Sequence, residues 1–96
     1  MTIMWTPTAF SQVEEIAQKM AWNNPLAAEK WLDGVFECVE RFFNFPESGE
    51  WVSEIPRPEI RETTCGHYRV IHRIREQTVS VLSVRHSRRQ LTETDI

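Results

Sequence analysis

Residues 60–89 read IRETTCGHYRVIHRIREQTVSVLSVRHSRR, and here the rhythm of the chain changes. Apolar residues recur at every second position, the period of a strand whose side chains point alternately to two faces. Three strands are predicted, at Ile60–Thr64, His67–Ile74 and Thr78–Arg85. Cys65–Gly66 and Arg75–Gln77 fall at the turns between them. In the middle strand Tyr68, Val70, His72 and Ile74 share one face, and Arg69, Ile71, Arg73 and Arg75 share the other. The third strand, TVSVLSVRH, is apolar enough to lie inside a sheet. A slip of one residue in register would reverse all of these faces.

Upstream, the period becomes helical. Residues 2–5, TIMW, form a short apolar run that suits a first strand. Thr6 followed by Pro7 is a helix start, with Thr as N-cap and Pro where its missing N–H costs nothing. Phe10, Val13, Ile16, Ala17 and Met20 then recur at helical spacing, and this helix is expected to end near Trp22. Asn24 and Pro25 repeat the start signal. The second helix gathers Ala28, Trp31, Leu32, Val35, Val39 and Phe42 on one side. Two apolar stripes so placed can pack as a helical hairpin over one face of a sheet. FNFPESGEW (43–51) is predicted to be a loop, and Pro56 and Pro58 confine Ile55–Glu59 to extended or edge geometry. The result is an α+β domain in which an N-terminal helical hairpin covers a short first strand plus three C-terminal strands. Residues 1–96 make a single domain, with 90–96 expected as a flexible tail.

Bulk composition narrows the function classes. Hydrophobic residues make up 41% and charged residues 26%, an ordinary globular balance. No run of about 18 apolar residues occurs, so no membrane span is expected. The opening MTIMWTPTAF lacks a basic segment ahead of an apolar one, so no secretory signal is expected and the location is read as cytoplasmic. Cys38 and Cys65 form no CxxC and are read as two reduced, partly buried thiols. His67, His72 and His86 are not at helical metal-ligand spacing, so neither a metal nor a cofactor is expected. The net charge of −3 hides a division. Residues 1–54 hold nine acids and three bases, whereas residues 55–91 hold eight bases, all of them Arg, and three acids. Arg presents a planar fork suited to phosphate and carboxylate. Such a bias fits either a recognition surface or ion pairs with acids of the same chain.

Several short motifs now stand in order: W-T-P into a helix, N-P-x-x-A into the next, and F-P-x-x-G at Phe45, Pro46 and Gly49. R-E (61–62), Y-R-V-I (68–71) and V-x-H-x-R-R (84–89) follow. In this order the chain resembles the RelE/ParE superfamily of type II toxin–antitoxin toxins, in its ParE-like, plasmid-stabilisation branch. The resemblance implies the hairpin-on-sheet fold with a mainly antiparallel sheet, and a cognate antitoxin that holds the toxin inactive. Within the superfamily, ParE-like members inhibit DNA gyrase, whereas RelE-like members cut mRNA on the ribosome.

For gyrase inhibition the resemblance implies a binding surface for target or antitoxin drawn from Arg61, Arg69, Arg73, Arg85, Arg88, Arg89 and Trp51. For RNA cleavage a base, an acid and a cation must meet at one phosphate. Arg61 and Arg69 would hold the phosphate, His86 would be the acid or base, and Arg88 would add positive charge. Two departures bear on the choice. RelE-like cleavage uses late lysine and tyrosine residues, but no Lys follows Lys30 and no Tyr follows Tyr68. Glu50 follows Gly49 where the ParE-like branch carries a basic residue. The expectation is therefore a gyrase inhibitor, with a ribosome-dependent mRNA endonuclease as the alternative and an inactive, antitoxin-binding chain as the second. Plainer roles compete at each position: structural ion pairs with neighbours for Arg61 and Glu62, a core histidine with satisfied nitrogens at His72, and core packing for Trp5, Trp22 and Trp31.

Overall fold

The computed structural model describes residues 2–45 and 48–96. Pro46 of the F-P-x-x-G motif lies outside the described residues. The elements in chain order are β1 (Thr2–Trp5), α1 (Pro7–Asn23), α2 (Pro25–Asn44), β2 (Glu50–Trp51), β3 (Ile60–Cys65), β4 (Tyr68–Arg75) and β5 (Thr78–His86). The strands form one sheet in the order β1-β5-β4-β3-β2. β1 pairs parallel to β5 and the other pairs are antiparallel.

Both helix starts lie at the cap residues the sequence marks. Thr6 Oγ1 accepts from the Ala9 N–H at 3.1 Å, and Asn24 Oδ1 accepts from the Ala27 N–H at 3.1 Å. Thr6 also ties the hairpin to the sheet, because its hydroxyl donates to the Val81 carbonyl at 3.0 Å. Ala9 and Val13 of α1 and Val35 and Val39 of α2 meet Val70, Val81 and Val84 in the core between helices and sheet. Trp22 is not part of it. It lies about 180° around α1 from Val13 and is 81% exposed.

The other face of the sheet is also covered. Val52, Ile55, Ile60, Ile71, Leu82 and Leu91 form a second core, with Ile96 against it. Residues 90–96, read from the sequence as a flexible tail, lie here instead: Leu91 is buried and a 3-10 turn spans Glu93–Asp95. Leu91 seats the segment in the outer core, and Arg57–Glu93 and Arg85–Asp95 contacts, each 3.3 Å, hold it from two sides. The segment with Pro56 and Pro58 forms turns rather than a strand, and the sheet edge is the two-residue β2 instead. Cys38 and Cys65 also depart from expectation. Packing of α2 on β3 brings their Cα atoms to 6.3 Å, and they are joined as a disulfide.

A bulge in β5 sets the faces at the end of the sheet. Ile71 pairs with Ser83 but His72 pairs with Val81, so Leu82 is an extra residue. Val81 and Val84 consequently share the helix-side core, whereas strict alternation would put them on opposite faces. Gln12 of α1 caps the irregularity: its Oε1 accepts from the Val84 N–H at 2.7 Å and from the Ser83 hydroxyl at 3.1 Å.

Candidate functional site

Arg69 sits at the centre of the outer face. Nη2 and Nη1 each lie 2.9 Å from a different oxygen of Glu54, a two-pronged grip, and Nε donates to Glu62 at 2.9 Å. Nη1 also donates to the Arg89 carbonyl at 3.1 Å, and the Leu91 N–H donates to Glu54 at 3.1 Å. Hydrogen bonds from Arg69 hold the Glu54 carboxyl down at about 2. Glu54 in turn raises Arg69 further above its usual value. The Arg69 side chain is only 9% exposed. With two carboxylates around it, Arg69 joins the 52–55 segment, β3, β4 and the start of the tail.

Arg61 is on the opposite face. It pairs across the ladder with His72, whose ring stacks on Phe42 of α2 at 3.7 Å, so both side chains lie on the helix side. Its guanidinium stands 4.7 Å over the ring of Trp51, which is 57% exposed. Nη1 donates to the Gly49 carbonyl at 3.2 Å and Nε to the Pro58 carbonyl at 3.3 Å. Gly49 is required here because a Cβ would collide with the Phe42 ring. Of the ion pairs with neighbours expected for Arg61 and Glu62, Glu62 forms one, with Arg69, whereas Arg61 bonds backbone carbonyls and the face of Trp51 instead.

His72 is fully buried, as a core histidine should be, but neither ring nitrogen has a hydrogen-bond partner. Burial pushes its pKa down to about 3, against a small upward pull from the nearby Arg61 carbonyl. The ring is neutral and serves packing.

The third cluster surrounds His86. Its ring lies 5.6 Å from Tyr68, edge to face, and 6.3 Å from His67, nearly parallel. The Arg88 N–H donates to His86 Nδ1 at 3.2 Å, which leaves Nε2 to carry the proton of a neutral ring. Tyr68, His86, Arg85 and Arg89 form one wall of a groove of about 450 Å³, and Gln12, Ile16, Lys19 and Met20 of α1 form the other. Arg85 is anchored by Ser83 at 3.2 Å and Asp95 at 3.3 Å. Arg88 and Arg89 are exposed. Arg73 lies on the outer face opposite Ile60, with its Nε buried and unpartnered.

The candidate residues are thus distributed over three places. Arg61 with Trp51 lies at one end of the helix-side face. His86 lies at the other, about 13 Å farther along the direction of β4 and on the strand at its opposite side. Arg69 is on the reverse face. Two contributors escaped the sequence reading: Gln12, whose cap at the bulge is non-local, and Glu54, which lay in an unpatterned segment. Among the described residues no group of three or more His, Cys, Asp or Glu side chains is placed to hold a metal ion. No helix among them is long and apolar enough to cross a membrane.

The family described as ParE toxin of type II toxin-antitoxin system, parDE, matches residues 3–91. The chain belongs to the ParE toxin family. It is a ParE-like toxin chain of a type II toxin–antitoxin system, with a cognate antitoxin as partner. Its fold is similar to that of a chain from the chromosomal ParDE TA system from P. aeruginosa, with a TM-score of 0.76 and 18% identity over 90% of this chain and 95% of that one. No curated protein sequence matches it significantly. Within this ParE-like frame the V-x-H-x-R-R ending is the wall of the α1 groove, and Y-R-V-I supplies both cores at once.

Proposed function

We propose that this ParE-like chain acts in the cytoplasm as a binding inhibitor of DNA gyrase and is released from inhibition when its antitoxin is lost. The observation that carries this reading is the dispersal of the arginines. RNA cleavage would need Arg61 and Arg69 at one phosphate, yet they occupy opposite faces and Arg69 is saturated by Glu54 and Glu62. An inhibitor needs no such convergence. It needs a few anchors on a rigid scaffold, and Arg61 on Trp51 together with Arg88 and Arg89 meets that need. Arg85 lies beside Arg89 at the groove, Arg73 stands on the outer face, and Arg69 contributes by holding the scaffold. The antitoxin supplies a segment that orders on the toxin, with acids facing the arginines of the α1 groove.

A second reading, mRNA cleavage on the ribosome, draws on the closeness of His86, Tyr68 and Arg89 around the groove. Purified toxin is to be assayed for gyrase supercoiling and cleavage complexes, and in parallel for cleavage on programmed ribosomes. Gyrase inhibition with intact mRNA is the expected result. Ribosomal cleavage with gyrase untouched would overturn the proposal, and growth arrest abolished by His86→Ala would then point to His86 as acid or base.

A further inference from the structure

The disulfide between Cys38 and Cys65 joins the two layers of the fold at a point where no other covalent tie exists. Cys38 is on α2 and Cys65 ends β3, immediately before the tight turn at Gly66, whose φ is +63°. The pair is approachable. Beside it runs a groove of about 320 Å³ lined by Trp31, Gly34, Glu37, Arg41 and Gly66 along with the two cysteines. A Cβ at either Gly34 or Gly66 would meet nothing within 4 Å, so the space beside both glycines in this groove is open. Cys38 is half-buried and Cys65 is buried. One turn from Cys38, Arg41 adds positive charge to the groove, while Glu37 adds a negative one.

We propose that Cys38 and Cys65 form a reversible thiol–disulfide exchange site that staples α2 to β3, and that its substrate is a low-molecular-weight disulfide of the glutathione type. Exchange begins at the accessible sulfur. The Cys38 thiolate attacks one sulfur of the small disulfide, its S–S bond breaks, and one thiolate leaves. The Cys65 thiolate then attacks the Cys38 sulfur of the mixed disulfide and expels the second thiolate. The two protein thiols are oxidised, the small disulfide is reduced to two thiols, and the two protein protons pass to solvent or to the leaving thiolates. A small dithiol reverses the sequence. Closing a loop across a sequence separation of 27 removes freedom from the unfolded chain. For a chain of this size that corresponds to a rise in Tm of roughly 10–20 °C.

The full chain, equilibrated in graded mixtures of oxidised and reduced glutathione, is to be alkylated and weighed intact by mass spectrometry, with Tm read by circular dichroism on the same samples. The expected result is a monomer with no alkylatable thiol in excess oxidised glutathione, two in excess dithiothreitol, and a Tm lower by roughly 10–20 °C on reduction. With Cys65→Ser, glutathione should add to Cys38 faster than it adds to Cys65 in Cys38→Ser. Two alkylatable thiols in excess oxidised glutathione, persistent mixed disulfides, or equal Tm in both states would overturn the staple, and these readings on the unsubstituted chain do not depend on a variant folding. Faster addition at Cys65 would overturn the order of attack.

Discussion

His72 lends itself to a pH experiment whose sign and size follow from its surroundings. Its ring lies flat on Phe42, fully buried, with a pKa near 3 in the folded chain against an ordinary 6.5. Below pH 6.5 the unfolded chain gains a proton that the folded chain refuses, so stability falls as pH falls, and the loss is complete only near pH 3. Each pH unit inside that window is worth about 1.4 kcal/mol. Between pH 7 and pH 5 the loss from His72 alone is about 2 kcal/mol. Domains of this size have about 5–15 kcal/mol in all. The perturbation is His72→Phe, which preserves a flat ring over Phe42 and removes two unpartnered nitrogens. Urea unfolding at pH 7, 6 and 5 measures both proteins. The unsubstituted chain should lose about 2 kcal/mol more than the variant across the range, at unchanged m-value. An equal loss in both would refute the account of a buried, neutral His72. Glu54 does not confuse the measurement. Its lowered pKa of about 2 stabilises the fold above the ordinary value of 4.5, and that contribution disappears only as pH falls from there through about 2.

Three further outcomes are expected. Arg69→Met should destabilise the chain by about 3–5 kcal/mol in chemical denaturation, because Glu54 and Glu62 are left without their cation; Glu54→Gln with Glu62→Gln in the same background should recover part of the loss. Gly49→Ala should cost about 1–3 kcal/mol by thermal unfolding, since the new methyl group collides with Phe42. Arg88→Ala with Arg89→Ala should leave stability within about 0.5 kcal/mol, as both side chains are exposed, while weakening gyrase inhibition in the supercoiling assay by tenfold or more, about 1.4 kcal/mol or greater.

What could be read from the residues alone was what is encoded locally. Thr6–Pro7 and Asn24–Pro25 announce their helices through neighbours three positions away, and the alternation in Tyr68–Arg75 places its two faces correctly. The features that escaped are non-local. The pairing of Cys38 with Cys65 depends on where α2 crosses β3, and the burial of Leu91 depends on an outer core assembled from four separate segments. Trp22 illustrates a different miss: it is apolar, but its angle around α1 points it to solvent. The arginines show the limit most clearly. Their bias toward one half of the chain was plain, yet only the ladder register separates Arg69, committed to Glu54 and Glu62, from Arg61, offered beside Trp51.

The extra residue at Leu82 acts as a switch in reading frame within a single strand. Upstream of it, β5 is committed to filling two cores; downstream, the same alternation is transposed, so His86 is displayed toward α1 and Arg85 toward Asp95. Straightening the strand through Leu82 without losing a residue would exchange the two side chains between the faces, whereas deleting Leu82 would restore regular pairing and leave His86 and Arg85 where they are. In a sheet covered on both sides, the conformation of this one residue therefore decides which charge the groove receives, with no change in which amino acids the strand end contains.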